Sequence, residues 1–220
     1  LLLANSHTIN SYHSYFKETY AWKIYLSPLY GGAHAIMRDN GYNSKNKTFI
    51  YGPTFWKKNK NKPVDFLLNT ATIYHEASHF IVSGFTYGIY KKKIDEINYL
   101  FEPIEKVVKK NRGYDRWIYA FDEMLVNSIT MAITESKSKG NRKNLNNIWL
   151  TDHMSKGLIY EYHMLTTIQE MYRTNQKIDA TIIPKILALM SEISIEELKK
   201  DTQFNIKLLK KAMKNHWKKI

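Results

Sequence analysis

The chemistry-bearing residues of this chain start with His75-Glu76-Ala77-Ser78-His79, two imidazoles four positions apart with a carboxylate beside the first. In a helix, residues four apart differ by about 40° and project from one face a turn apart, so two ring nitrogens can meet one tetrahedral Zn²⁺. Glu76 lies about 100° round from His75. It therefore stays off the metal and within reach of a metal-activated water, the place a general base needs. With eight histidines in 220 residues, the H-E-x-x-H pattern is expected by chance roughly 0.016 times.

Two histidines leave the coordination incomplete. His79 runs into Phe80-Ile81-Val82-Ser83-Gly84, with no further histidine at short spacing, so the third ligand must come from a later element. Glu123 is the best candidate because it interrupts the apolar stretch Phe121 to Val126, where a carboxylate without a cation would be costly to bury. The competing reading is a surface Glu paired with a lysine. Asp122 faces elsewhere and suits a role as acceptor for a histidine N–H. Asp122 and Glu161 are the alternatives for the third ligand.

These residues resemble the ligand pattern of gluzincins, zinc peptidases in which HExxH on one helix is completed by a Glu on the next. Here the pattern is His75, Glu76, His79 and then the Asp122-Glu123 pair. A fainter resemblance, over Trp22 to Pro184, is to an exported bacterial family known only as a domain of unknown function with a zincin-like signature. Its ordered features correspond to Tyr30-Gly31-Gly32-Ala33, His75 to Val82, Glu123 to Asn127, and Gly157-Leu158-Ile159-Tyr160. The resemblance implies a zincin-like fold and a zinc metallopeptidase with Glu76 as base. It also implies an oxyanion donor: Tyr160, at the Gly-aromatic position, stands ahead of Tyr162, His163 and His153. Gly31 to Ala35 is the expected edge that holds a substrate backbone.

The elements that must position these groups can be read from periodicity. Residues 1–68 are turn-rich, with Gly31-Gly32, Asn40-Gly41 and Gly52-Pro53 around extended segments at Ala33 to Met37 and Thr48 to Tyr51, and predict a small antiparallel sheet. From Asn69 the period becomes helical. Ile73, Ala77, Phe80 and Ile81 predict the HExxH helix, with Asn69 or Thr70 as cap and Gly84 as stop. Further helices are predicted over about Asp95 to Lys110, broken near Pro103, over Asp115 to Thr134, over Ser155 to Arg173, and from Pro184. Ser194-Ile195-Glu196-Glu197 has the form of a capping box, and a basic amphipathic helix closes the chain. The expectation is one α+β domain over residues 1–220, zincin-like, with a sheet-rich part (1–68) and a helical part (69–220).

Composition narrows the alternatives. No cysteine is present, which excludes disulfide scaffolds, thiolate zinc sites, iron–sulfur clusters and thiol nucleophiles. Apolar residues make up 44% of the chain, enough for a packed core, and no apolar run is long enough to span a membrane. The formal charge is +13, carried largely by lysine in stretches such as Lys57 to Lys62, Lys91-Lys92-Lys93 and Ser136 to Lys143. Interleaved with Asn, Ser and Gly, these read as solvated loops or helix ends rather than a specific nucleic-acid face. A start at Leu1-Leu2-Leu3 without Met leans towards an exported, extracytoplasmic protein. The partner expected is a peptide or protein substrate. The rival is an inactive metal-binding or basic ligand-binding module on the same scaffold.

Overall fold

The computed structural model describes residues 14–17, 21–26, 35–37, 46–51, 70–137, 143–196, 206 and 210–211; for the segments between 21 and 51, and for 70 and 143–145, the description is of backbone only. Three short strands come first: β1 (Ala21–Leu26), β2 (Ala35–Met37) and β3 (Asn46–Tyr51). They pair in the order β1-β3-β2. β2 runs antiparallel to β3, with Ile36 opposite Phe49, but β1 runs parallel to β3, with Ile24 opposite Phe49. The small sheet is therefore mixed, not antiparallel.

Among the described residues seven α-helices follow: α1 (Thr70–Gly84), α2 (Lys91–Glu96), α3 (Glu105–Arg112), α4 (Trp117–Lys137), α5 (Lys143–Ser155), α6 (Glu161–Arg173) and α7 (Ile182–Ser191). The fold is mostly helical, and this corrects the α+β, zincin-like expectation. The physical reason lies in α4, which is buried on almost every side from Trp117 to Thr134. A helix apolar all round must be enclosed, and here other helices enclose it. The described core draws its side chains from helices and their connections together with Phe16. The hydroxyls inside α4 bond back along their own helix: Ser128 Oγ donates to the Met124 carbonyl at 2.7 Å and Thr130 Oγ1 to that of Val126 at 2.9 Å.

Aromatic packing sets the helices on one another. Trp117 is 2% exposed and donates its indole N–H to the Ile94 carbonyl at 3.1 Å. Phe121 and Tyr160 meet its ring edge-on, with centroids 5.8 and 5.6 Å away. At the other end Phe16, 1% exposed, pairs with Ile178: Lys17 N donates to the Ile178 carbonyl at 3.1 Å and Ile178 N to that of Tyr15 at 2.8 Å. An N-terminal segment is thereby tied to the connection between α6 and α7, and the Lys17–Asp179 ion pair lies beside it.

Several boundaries differ from expectation. Gly84 does not stop the HExxH helix; it holds ordinary helical dihedrals and the chain continues into a π-helical turn, Phe85–Ile89. The predicted Asp95 to Lys110 helix is two helices with a 3₁₀ turn (Asn98–Phe101) between, broken next to Pro103 as read. The predicted Ser155 to Arg173 helix does not begin at Ser155, which ends α5; α6 starts at Glu161. Gly157 makes the break. It holds φ of +102°, and a Cβ on it would sit 2.7 Å from Val108 Cγ2 and 3.1 Å from the Val108 backbone nitrogen. Only glycine fits both the conformation and the contact with α3. Ile195 and Glu196 are helical after Ser194, and Glu197 of the predicted cap, most of the closing basic helix, Gly31 to His34 and Lys57 to Lys62 lie outside the described residues. Among the described residues no helix is long and apolar enough to cross a membrane.

Candidate metal centre

α1 carries His75 and His79, and α4, packed along it, carries Glu123. The apolar stripe of Ile73, Ala77, Phe80 and Ile81 is buried, so α1 is held by that stripe while the two imidazoles stay partly exposed. Their rings stand edge-on, 4.9 Å between centroids, with Nε2 of one 3.3 Å from Nε2 of the other. Glu123 reaches both: Oε1 lies 3.8 Å from His75 Nε2 and Oε2 lies 3.5 Å from His79 Nε2. The three residues offer one donor atom each within 4.8 Å of one another, a cluster that could hold a metal ion. A tetrahedral zinc with bonds of about 2.0–2.1 Å needs donors about 3.3 Å apart, and two nitrogens and a carboxylate at 3.3, 3.5 and 3.8 Å fit that requirement.

The surroundings orient the donors. His79 Nδ1 lies 2.9 Å from Asp122 Oδ2, so its Nδ1–H points at the carboxylate and Nε2 is the nitrogen turned to Glu123. Asp122 is 3% exposed and also accepts from Ser83 Oγ at 3.1 Å and Thr86 Oγ1 at 2.5 Å. His79, Ser83 and Thr86 are spaced i, i+4, i+7, one stripe of donors down α1 into the π turn, all serving one buried carboxylate. Burial opposes a charge on His79, but the hydrogen bonds and charges of Asp122 and Glu123 outweigh it and lift its pKa to about 10. Burial likewise works against ionisation of Glu123. The hydrogen bond from His79, the charges of His75 and His79, and the Tyr114 hydroxyl nonetheless hold it well below the usual carboxylate range. A bound cation takes the place of those protons.

Glu76 lines a cleft of about 400 Å³ together with His75, Glu123, Asn127 and His153. Burial above all, with the charge of Glu123 in support and His79 in opposition, pushes its pKa up to about 7. A general base is most effective with a pKa near the working pH.

The oxyanion donor named first on the sequence is corrected. Tyr160 is 1% exposed, stacked edge-on against Trp117, and donates its hydroxyl to the Leu100 carbonyl at 2.6 Å. It is a core residue, and burial raises its pKa beyond the ordinary phenol value. Tyr162 is exposed, His163 is half-buried with its pKa lowered by burial, and neither lines the cleft. His153, the last of the four alternatives, does line it. Its Nδ1 is 2.7 Å from Oε1 of Glu161, which leaves Nε2 as the ring's other polar atom. Glu161 is fully buried, and burial raises its pKa against the pull of His153 and Asn127. It belongs to His153 rather than to the cluster: with its proton favoured by burial it donates to Nδ1, which leaves the ring proton on Nε2, and it is not a third ligand.

Three contributors escaped the sequence reading. Asn127, one turn after Glu123, bridges two carboxylates, donating to Glu161 Oε2 at 3.3 Å and standing 3.5 Å from Glu123 Oε1. Arg112 lines the cleft, and Tyr114 hydrogen-bonds Glu123. The two flank Gly113, whose φ of +76° ends α3 and turns the chain towards α4. A helical spacing of polar residues, Glu123 to Asn127 and His79 to Thr86, was the available signal for part of this set. Comparison with protein families, curated proteins and solved structures finds no match to this chain.

Proposed function

We propose that the protein is a zinc-dependent hydrolase, most readily a metallopeptidase with a gluzincin-type ligand set. The observation that supports this is the coincidence of His75, His79 and Glu123 donors at 3.3–3.8 Å with Glu76 on the wall of the same cleft. A zinc ion held by those three residues supplies Lewis acidity, which makes a water nucleophilic near neutral pH and polarises a carbonyl.

The protein's own groups do the rest. Glu76, with its pKa near 7, takes a proton from the attacking water and returns it to the leaving amine, so that one amide and one water become one acid and one amine. His153, held through Nδ1 by Glu161, turns Nε2 to the cleft and donates to the oxygen on which charge develops. Asp122 keeps His79 in the tautomer that binds a cation. The test is digestion of a diverse peptide library by zinc-loaded protein, read by mass spectrometry, with Glu76→Gln as control. Zinc-dependent cleavage lost in that variant supports the reading. Stoichiometric zinc with no cleavage by the parent would replace it with the inactive metal-binding module.

A further inference from the structure

The cleft has two unlike ends, and the helices that line it fix their order. α1 and α4 run in opposite senses: Thr86 donates to Asp122, His79 meets Glu123, and Tyr74 meets Lys137. α5 also runs against α4, because Asn146 donates to the Met131 carbonyl at 2.9 Å while His153 shares Glu161 with Asn127. Along α4 the lining residues Glu123, Asn127 and Met131 follow at successive turns, leading away from the metal donors. Ala71 lies one turn from His75 in the same direction, and Trp149 one turn from His153. One end of the cleft thus gathers His75, Glu76, Glu123 and His153, and the other gathers Ala71, Met131, Ile148 and Trp149.

The second end is apolar and within reach. Ala71 and Met131 are nearly closed off, at 2% and 1% exposed, and form its floor. Ile148 and Trp149 are only half-buried, so both walls keep accessible surface; Trp149 rests its inner side on the core. The acidic residue beside them, Asp152, is engaged by Lys156 at 2.5 Å and is not free to receive a basic side chain. Apolar surface left in water is covered favourably by an apolar group, and a cleft of about 400 Å³ has room for a short stretch of peptide at most. We propose that this end is the specificity pocket for the substrate: it takes a large apolar side chain, aromatic ahead of aliphatic, from a residue flanking the bond that is cut, and Trp149 sets the choice. Side chains one turn apart on a helix stand about 6 Å from each other, so Trp149 is at the distance from His153 that a Phe or Leu side chain spans and an Ala methyl does not. The inference rests on the hydrolase reading for the bond that is cut, but the seating of the side chain does not.

The probes are blocked pentapeptides, acetyl-Ala-Ala-X-Ala-Ala-amide with Phe, Ala or Lys at X. Their affinities are measured by calorimetry on Glu76→Gln, as purified and zinc-loaded, and their cleavage by zinc-loaded parent is read by mass spectrometry. The Phe peptide is expected to bind about 10–100-fold tighter than the Ala peptide and to be cut at a bond next to Phe. Trp149→Ala, added to Glu76→Gln for binding and to the parent for cleavage, should reduce that preference below about threefold, with zinc content and melting temperature compared with the parent. Ile148→Glu puts a charge into the pocket without removing the indole, and should turn the preference from Phe to Lys. Equal affinities for the Phe and Ala peptides, cleavage only at bonds remote from Phe, or a preference undiminished in both variants overturns the proposal. A Phe preference in binding with no hydrolysis of any peptide sinks the hydrolase reading alone, whereas hydrolysis indifferent to X sinks this inference alone.

Discussion

Asp122 and His79 face each other at 2.9 Å through Oδ2 and Nδ1, while the next residue, Glu123, stands 3.5 Å from the other nitrogen of the same ring. Two consecutive carboxylates on α4 thus address two ends of one imidazole from α1. Removing Asp122 frees the ring to rotate and to change tautomer. Asp122→Ala is expected to lower zinc affinity by about 10–100-fold with the ligands untouched, as measured by competition with a chelating dye. Unchanged affinity would mean that packing alone holds the ring.

The parent should carry about one zinc per chain after loading, because three protein donors with an open fourth position describe a catalytic site. Elemental analysis decides this, and the His75→Ala, His79→Ala double variant should come out near zero.

Glu123→Ala and Glu76→Gln should fail in different ways. The first loses a ligand and therefore the metal. The second keeps the metal and loses roughly 10²–10⁴ in kcat, because the attacking water has no proton acceptor. Should Glu123→Ala hold zinc as well as the parent, the ligand set is wrong.

Of the two donor candidates, His153 lines the cleft and Tyr160 is held in the core. His153→Ala is expected to lower kcat by about 10²–10³ with zinc content intact. Tyr160→Phe leaves the Leu100 carbonyl without its donor, so it should cost about 1–3 kcal/mol in denaturant unfolding and leave kcat alone. A large kcat loss in Tyr160→Phe with stability unchanged would reverse the assignment.

Much of this centre was legible because its signals are local. H-E-x-x-H needs only the pitch of one helix, and Glu123 stood out as a charge within an apolar run that had to be buried. The neighbouring Asp122 followed from the same helix geometry. What could not be read was convergence across distance. His153 and Tyr160 are both plausible donors in one dimension, and only the packing of Trp117 against Tyr160 sends that hydroxyl into the core. The fold class failed for a related reason. Turn-rich residues 1–68 suggest a small sheet as a defining part of an α+β domain, whereas α4 is enclosed by helices and the segment around Phe16 joins their core directly. Gly84 looked like a stop because glycine often is one; with helical dihedrals and open space around it, it does not interrupt the chain.

Glu161 supplies a pH test with a definite sign. Burial raises its folded pKa above the unfolded value near 4.5, so the folded state favours its protonated form. Its contribution to stability is full below the unfolded pKa and is lost as the pH rises towards the folded one. Relative to the metal-free parent, Glu161→Gln should therefore gain in unfolding free energy as the pH rises above 4.5, measured at constant ionic strength. A difference that does not move with pH would show that Glu161 does not titrate in that window.

Gly157 touches neither metal donor nor guanidinium, yet it lies four residues after His153 and four before Glu161, and it rests on Val108, one helical turn before Arg112. This contact of α3 with the α5–α6 turn thus joins the helix that carries Arg112 to the turn that links His153 and Glu161. A methyl group there must push α3 away, since the atoms it would meet include backbone as well as side chain. The spacing of Arg112 and His153, both on the lining of the cleft, is therefore tied to this one contact. A Gly157→Ala protein that still folds must therefore hold α3 further from the α5–α6 turn and melt at a lower temperature than the parent.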